Sequence, residues 1–264
     1  MKKVISEDGT TIAFDQSGQG PTIILVDGAL QYRAFDQGMA PLAELLAQHF
    51  SVFHYDRRGR GDSTDTQPFA LECEIEDIAA LIDEAGGSAF VFGISSGAAL
   101  AFEAALALGG KVKKLAMYEA PYNDDEAARK AWKEYRRKLK DLTAAGRAGD
   151  AVGLFMMLVG ASAEDVQGMR QHPMWPLWEA VGLTLAYDAA ALGEEASLPI
   201  RKAANLAVPT LVMDGSAGEW SFMHNTAITL AKAIPHAQHR TLEGQTHEVD
   251  PQALAPVLIE FFKA

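Results

Sequence analysis

AFVFGISSG, residues 89–97, passes from a short apolar run through Gly93-Ile94-Ser95-Ser96-Gly97 and opens into Ala98, Ala99, Leu100, Ala101 and Phe102. In physical terms this is a buried strand, a sharp turn and a good helix former. A G-x-S-x-G corner holds its serine in a strained turn with Oγ exposed above the sheet, and glycines on either side leave room for the neighbouring strand and helix. The helix that follows aims its N-terminus and free N–H groups at the same point. Ser95 is therefore the candidate nucleophile. The plainer alternative is a Gly/Ser-rich turn with no chemistry, and the strand–turn–helix context argues against it.

Outward from that corner, strands and helices alternate. Residues 2–5 and 11–16 read as an antiparallel hairpin around Asp8-Gly9, and 22–26 (TIILV) as a strand covered on both faces. Helical spacing over 41–49 precedes a strand at 51–55 and the loop Asp56-Arg57-Arg58-Gly59-Arg60-Gly61-Asp62-Ser63. An amphipathic helix over 72–84 stops at Gly86-Gly87, and a strand over 114–118 follows the helix that ends near Leu108. Residues 121–206 then read as helical throughout, with Asn123 and Glu126 as a capping box and a basic cluster (Arg136, Arg137, Lys138, Lys140) as a solvated face. The alternation resumes with strands at 208–214 and 237–242 and helices at 222–234 and 251–262, the last opened by Asp250-Pro251. The expected architecture is α/β: a mostly parallel eight-stranded sheet with helices on both faces. Residues 1–120 and 207–264 form its core domain, and an all-helical lid over 121–206 covers the strand ends where ligands bind.

Composition narrows the function classes. The chain has 264 residues and a net charge of −12, which argues against nucleic acid and anionic membranes as partners. One cysteine, Cys73, excludes an internal disulfide and a thiolate zinc site. The N-terminal stretch carries no secretion signal and no run reaches membrane-span length, so a cytoplasmic enzyme is expected. No metal or organic cofactor is implied.

A serine hydroxyl needs an adjacent base near neutral pH. Of seven histidines (His49, His54, His172, His224, His236, His239 and His247), His247 alone sits in a loop just past a terminal strand, in Gly244-Gln245-Thr246-His247. The order nucleophile, acid, histidine also favours it as base. The TIILV strand with its Gly-containing loop, the D-x-R-G-x-G-x-S turn at 56–63, GISSG, the helical segment and GQTH together resemble the α/β-hydrolase family over nearly the full chain. That resemblance implies its fold and its acyl-transfer or ester-hydrolysis chemistry. In most such hydrolases the acid follows the strand after the lid. The matching position here, in Leu211-Val212-Met213-Asp214-Gly215-Ser216-Ala217-Gly218, holds Gly218. Glu119, just beyond the 114–118 strand, is the favoured substitute, ahead of Asp214 and of Glu219. The oxyanion hole is expected to use the N–H of Ser96 and a second N–H from Asp27-Gly28-Ala29-Leu30, with Gly28 and Ala29 both open as donors. Asp27 is expected to hold that loop through backbone hydrogen bonds.

Four details are similar to the fungal zearalenone lactonases: Asp-Gly in the oxyanion loop, the Ser-Ser-Gly-Ala elbow from Ser95 to Ala98, a Glu acid at the Glu119 position, and Pro173-Met174-Trp175 in the lid. That resemblance implies a pocket-lining role for Trp175. The lid's methionines and aromatics suit an adaptable apolar wall, with Leu30, Met156, Trp178 and Tyr187 as further candidates for substrate contact. The expected activity is hydrolysis of apolar or aromatic esters or lactones through an acyl-enzyme. The partner is then a small molecule, and a homodimer is left open. A C–C bond hydrolase or cofactor-free perhydrolase would use the same serine and histidine. A ligand receptor retaining the fold is the alternative from another class. Haloalkane dehalogenases and epoxide hydrolases need Asp where Ser95 stands.

Overall fold

The structure is a computed structural model that describes residues 1–35 and 38–264. The first half of the chain runs β1 (Lys2–Ile5), β2 (Thr11–Ser17), β3 (Thr22–Val26), α1 (Met39–Leu46), β4 (Ser51–Tyr55), α2 (Leu71–Glu84), β5 (Ala89–Ile94), α3 (Ser96–Leu108) and β6 (Val112–Tyr118). Among the described residues six α-helices follow: α4 (Glu126–Ala144), α5 (Ala148–Leu158), α6 (Ala163–Met169), α7 (Trp175–Val181), α8 (Leu185–Leu192) and α9 (Ile200–Ala203). The chain closes with β7 (Thr210–Gly215), α10 (Ser221–Ala233), β8 (Ala237–Leu242) and α11 (Pro251–Lys263).

The eight strands form one sheet in the order β1-β2-β4-β3-β5-β6-β7-β8. β1–β2 and β2–β4 pair antiparallel, and every other neighbouring pair is parallel. The period of two along a strand explains why TIILV has no polar position: Ile24 and Val26 enter a core with residues of α2 and α3, while Ile23 and Leu25 enter a second core with α1 and α11. Each fully buried aliphatic side chain of this kind contributes roughly 1.5–3 kcal/mol. Strand order reverses at β3, whose neighbours are β4 on one side and β5 on the other. The carboxyl ends of β3 and β5 therefore face a crevice suited to ligands.

Two local expectations are corrected. The first helix spans Met39–Leu46 rather than 41–49, because the chain turns after Leu46 to bury Phe50 ahead of β4. The cap of α4 is Asp125, not Asn123. Asp125 is extended and its side chain accepts from the amide of Ala128 at 3.0 Å, while Asn123 Oδ1 accepts from the amide of Asp125. Asn123 thus builds the turn ahead of the helix, and the capping register lies two residues later. On α4, Trp132, Tyr135 and Leu139 are buried on one face and Arg137 pairs with Glu134 outside. Among the described residues no helix is long and apolar enough to cross a membrane.

Candidate active site

β5 delivers Ser95 to the crevice with φ 56° and ψ −129°, a backbone conformation that L residues rarely adopt. The flanking glycines are required by close packing. A Cβ on Gly93 would collide with the backbone of Gly97, and one on Gly97 would collide with the carbonyls of Val26 and Asp27 at the end of β3. The elbow is thereby pressed against the loop that follows β3. Gly28 of that loop lies close enough that a Cβ there would stand 3.1 Å from Ser95 Cβ. Among the described residues four non-glycines have positive φ: Leu30, Ser95, Glu119 and Ala196. Leu30, Ser95 and Ala196 line one cavity, and Glu119 contacts its histidine, so the strain gathers at this site.

His247 sits in the loop after β8, with Nδ1 2.6 Å from Oε2 of Glu119. Glu119 is buried, and its other oxygen accepts from the Gly215 amide at 2.9 Å. The loop is anchored from the sheet, since the Tyr118 hydroxyl donates to the Thr246 carbonyl at 2.6 Å and the Ala217 amide to that of Gln245 at 2.9 Å. The Trp220 ring meets the imidazole edge-on, with centroids 5.4 Å apart. Ser95 and His247 line the same cavity of about 940 Å³.

The remaining carboxylates lie elsewhere. Asp214 is fully buried and holds His224 Nδ1 at 2.7 Å and His239 Nε2 at 2.6 Å, so it is occupied away from His247. Glu219 is exposed. Gly218 stands beside Glu119: a Cβ on it would lie 3.5 Å from Glu119 Oε1. The carboxylate of the residue that follows β6 therefore fills the space that a side chain at 218 would otherwise reach.

The two amides left open for the oxyanion are no longer equivalent. Gly28 N–H donates to Gln31 Oε1 at 3.2 Å, whereas among the described residues the Ala29 amide has no such partner. Among the described residues the Asp27 carboxylate makes no backbone bond to its loop; it takes His54 Nε2 at 3.1 Å. The loop is held instead by arginines. Arg57 donates to the Asp27 carbonyl, and Arg60 to those of Gly28 (2.6 Å) and Gln31 (3.2 Å).

Those arginines belong to a buried network that the sequence reading passed over. Arg57 forms a two-pronged pair with Glu74, and Arg57 and Arg60 both bind Asp188 of α8. Burial alone would raise the Asp188 carboxyl, but the charges of Arg57 and Arg60 outweigh it and hold the group below its ordinary value of 3.8. Asp188 Oδ1 also accepts from Ser96 Oγ at 2.8 Å. The overlooked signal was one acid in the apolar stretch LAYDAAAL, together with three arginines in the four residues of RRGR.

Of the proposed substrate contacts, Leu30, Met156 and Trp178 line the cavity. Trp175 and Tyr187 do not. Trp175 is buried among the inserted helices, with the Arg170 guanidinium 4.9 Å from its ring. Tyr187 stacks on Phe69 and hydrogen-bonds Asp65 and Gln67. In both cases packing won over the pocket. The cavity walls include Trp132, Tyr135, Phe155 and Trp178 of the inserted helices, and no lysine or arginine among the described residues. Of its four acids, Asp188 and Glu195 are paired with cations, whereas Glu248 and Asp250 are exposed and, among the described residues, carry no ion pair.

Comparison with known proteins adds the following. A family model described as "Alpha/beta hydrolase family" matches residues 23–257. The crystal structure of an alpha/beta hydrolase from Sphaerobacter thermophilus shares 51% identity and a TM-score of 0.86, over 99% of this chain and 100% of that one. A thermophilic esterase from Thermogutta terrifontis is 23% identical with a TM-score of 0.74, covering 99% and 97% of the two chains. The enol-lactonase from Burkholderia xenovorans is 19% identical with a TM-score of 0.73, covering 100% of each. The latter two, at these identities, are likenesses of fold.

Proposed function

The chain belongs to the alpha/beta hydrolase family, and on that premise we propose that it hydrolyses uncharged esters or lactones bearing an apolar acyl or aryl group, with Ser95 as nucleophile, His247 as base and Glu119 as the acid. The observation that carries this reading is the 2.6 Å contact of His247 Nδ1 with a buried glutamate, on a histidine that shares a cavity with Ser95. In the proposed mechanism Nδ1–H donates to Glu119, which leaves Nε2 to accept the Ser95 proton as Oγ attacks the carbonyl carbon. The amides of Ser96 and Ala29 receive the oxyanion. The imidazolium returns its proton to the departing alkoxide, a water deprotonated by His247 attacks the acyl-serine, and the carboxylic acid leaves. Helices α4–α9 act as the lid.

Charge argues against an anionic substrate. An anionic substrate would be desolvated against apolar and aromatic walls with no lysine or arginine among the described lining residues to receive it. Kinetics on paired aryl esters, one neutral and one with a terminal carboxylate, test this. The neutral member should have the higher kcat/KM by roughly tenfold or more. Preference for the anion, or cleavage of diketones with no ester turnover, would contradict the proposal.

A further inference from the structure

Asp214, His224 and His239 converge from three separate elements: the end of β7, the first turn of α10 and the middle of β8. Strand register explains the meeting. Asp214 lies opposite Thr241, and His239 is two residues before Thr241 on the same face of β8, which puts its ring diagonally across from the carboxylate. The ligating atoms, one from each residue, all lie within 4.8 Å of one another. The carboxylate is fully buried, while the His224 side chain is 49% exposed and that of His239 26%, so an ion could enter from solvent between the rings. The rings meet edge to face at 65° with centroids 5.8 Å apart, both turned toward the carboxylate. Thr241 Oγ1 stands 3.2 Å from Asp214 Oδ1 as a further oxygen beside the cluster.

We propose that Asp214, His224 and His239 form a binding site for one divalent transition-metal ion, with zinc the best match. Two imidazoles and one carboxylate supply the three protein ligands of an open tetrahedral zinc site, with water in the fourth position. The softness of the set favours zinc and its neighbours over magnesium or calcium, which take all-oxygen shells. Zinc bonds of about 2.0–2.1 Å place ligand atoms roughly 3.3 Å apart. The present N···O separations of 2.6 and 2.7 Å must therefore widen by about 0.6 Å. Each imidazole coordinates through the nitrogen now facing Asp214, with its proton moved to the other ring nitrogen. The ion would clamp α10 to β7 and to β8 at the sheet edge. Trp220, Phe222 and Met223, just ahead of His224, line the catalytic cavity, so the clamp would steady one of its walls. None of the three ligands lines that cavity, which separates this proposal from the reading of the serine site.

The test uses the full chain, stripped with chelator and titrated with zinc chloride by calorimetry, with the absorption spectrum of the cobalt form recorded in parallel. The proposal expects one equivalent bound, a Tm several degrees higher with saturating zinc, and a tetrahedral cobalt spectrum. All three should vanish in the double variant His224→Gln/His239→Gln, which alters partly exposed side chains and keeps aryl-ester turnover. No uptake by the wild type would overturn the proposal, as would uptake that survives in the double variant, because the ion would then sit elsewhere, for instance on His247.

Discussion

Asp188 Oδ1 accepts a hydrogen bond from Ser96 Oγ at 2.8 Å, so the residue next to the candidate nucleophile is tied to helix α8 of the inserted segment. Arg60 extends the tie, binding Asp188 Oδ2 at 2.8 Å and the Gly28 carbonyl at 2.6 Å. Both candidate arms of the oxyanion hole therefore hang on one buried charged cluster.

Removing that carboxylate leaves the buried Arg60 guanidinium without a carboxylate partner and strips Arg57 of one of its two, Glu74 being kept. Asp188→Asn is expected to cost about 3–5 kcal/mol in urea unfolding, because an uncompensated buried charge is worse than no pair. In the fraction that remains folded, kcat on a neutral aryl ester should fall by an order of magnitude or more, with less change in KM. Ser96→Ala removes only the hydroxyl and should lower kcat more mildly, without the large loss of stability.

The same carboxylate gives a pH prediction. Its folded pKa lies below the ordinary 3.8, so its stabilisation is present above pH 3.8 and is lost as pH falls through the depressed folded value. The stability gap between wild type and Asp188→Asn should therefore be constant above about pH 5 and narrow below pH 3.8. Denaturant midpoints recorded across an acid series will show whether it does.

Glu119→Gln and Asp214→Asn should separate the two acids. The first keeps the shape but takes a charge from behind His247, and is expected to lower kcat by roughly 10³–10⁴. The second disturbs two histidines outside the catalytic cavity, so kcat should change only a few-fold while stability falls. Steady-state kinetics with thermal unfolding on both variants decide this.

The tryptophans of α7 should differ in kind. Trp178→Ala enlarges the cavity that it lines and should shift preference toward bulkier acyl groups. Trp175→Ala empties a packed position beneath Arg170 and should cost about 3–5 kcal/mol with little change in preference. An ester series of graded size, read beside unfolding curves, distinguishes the two.

The parallel strands were legible because burial on both faces leaves no polar position, as in TIILV, and the elbow because only a glycine–serine–glycine turn satisfies its packing. Glu119 was reachable from the vacancy at Gly218. What escaped depended on contacts across long sequence separations. Asp188 meets Arg57 and Arg60 from more than a hundred residues away, and no periodicity announces that. Trp175 and Tyr187 fall outside the cavity lining for a related reason: an aromatic in a helical segment packs inward equally well against a cavity or against its own neighbours. The cap of α4 slipped by two residues because Asn123 and Asp125 offer the same side-chain chemistry and only the backbone chooses between them.

Intact-mass spectrometry after treatment with a fluorophosphonate, followed by peptide mapping, tests the activated serine most directly. One adduct should form per chain, on the peptide carrying Ser95. It should be absent in Ser95→Ala and strongly slowed in His247→Gln. Labelling at another residue, or undiminished ester turnover by Ser95→Ala, would contradict the account.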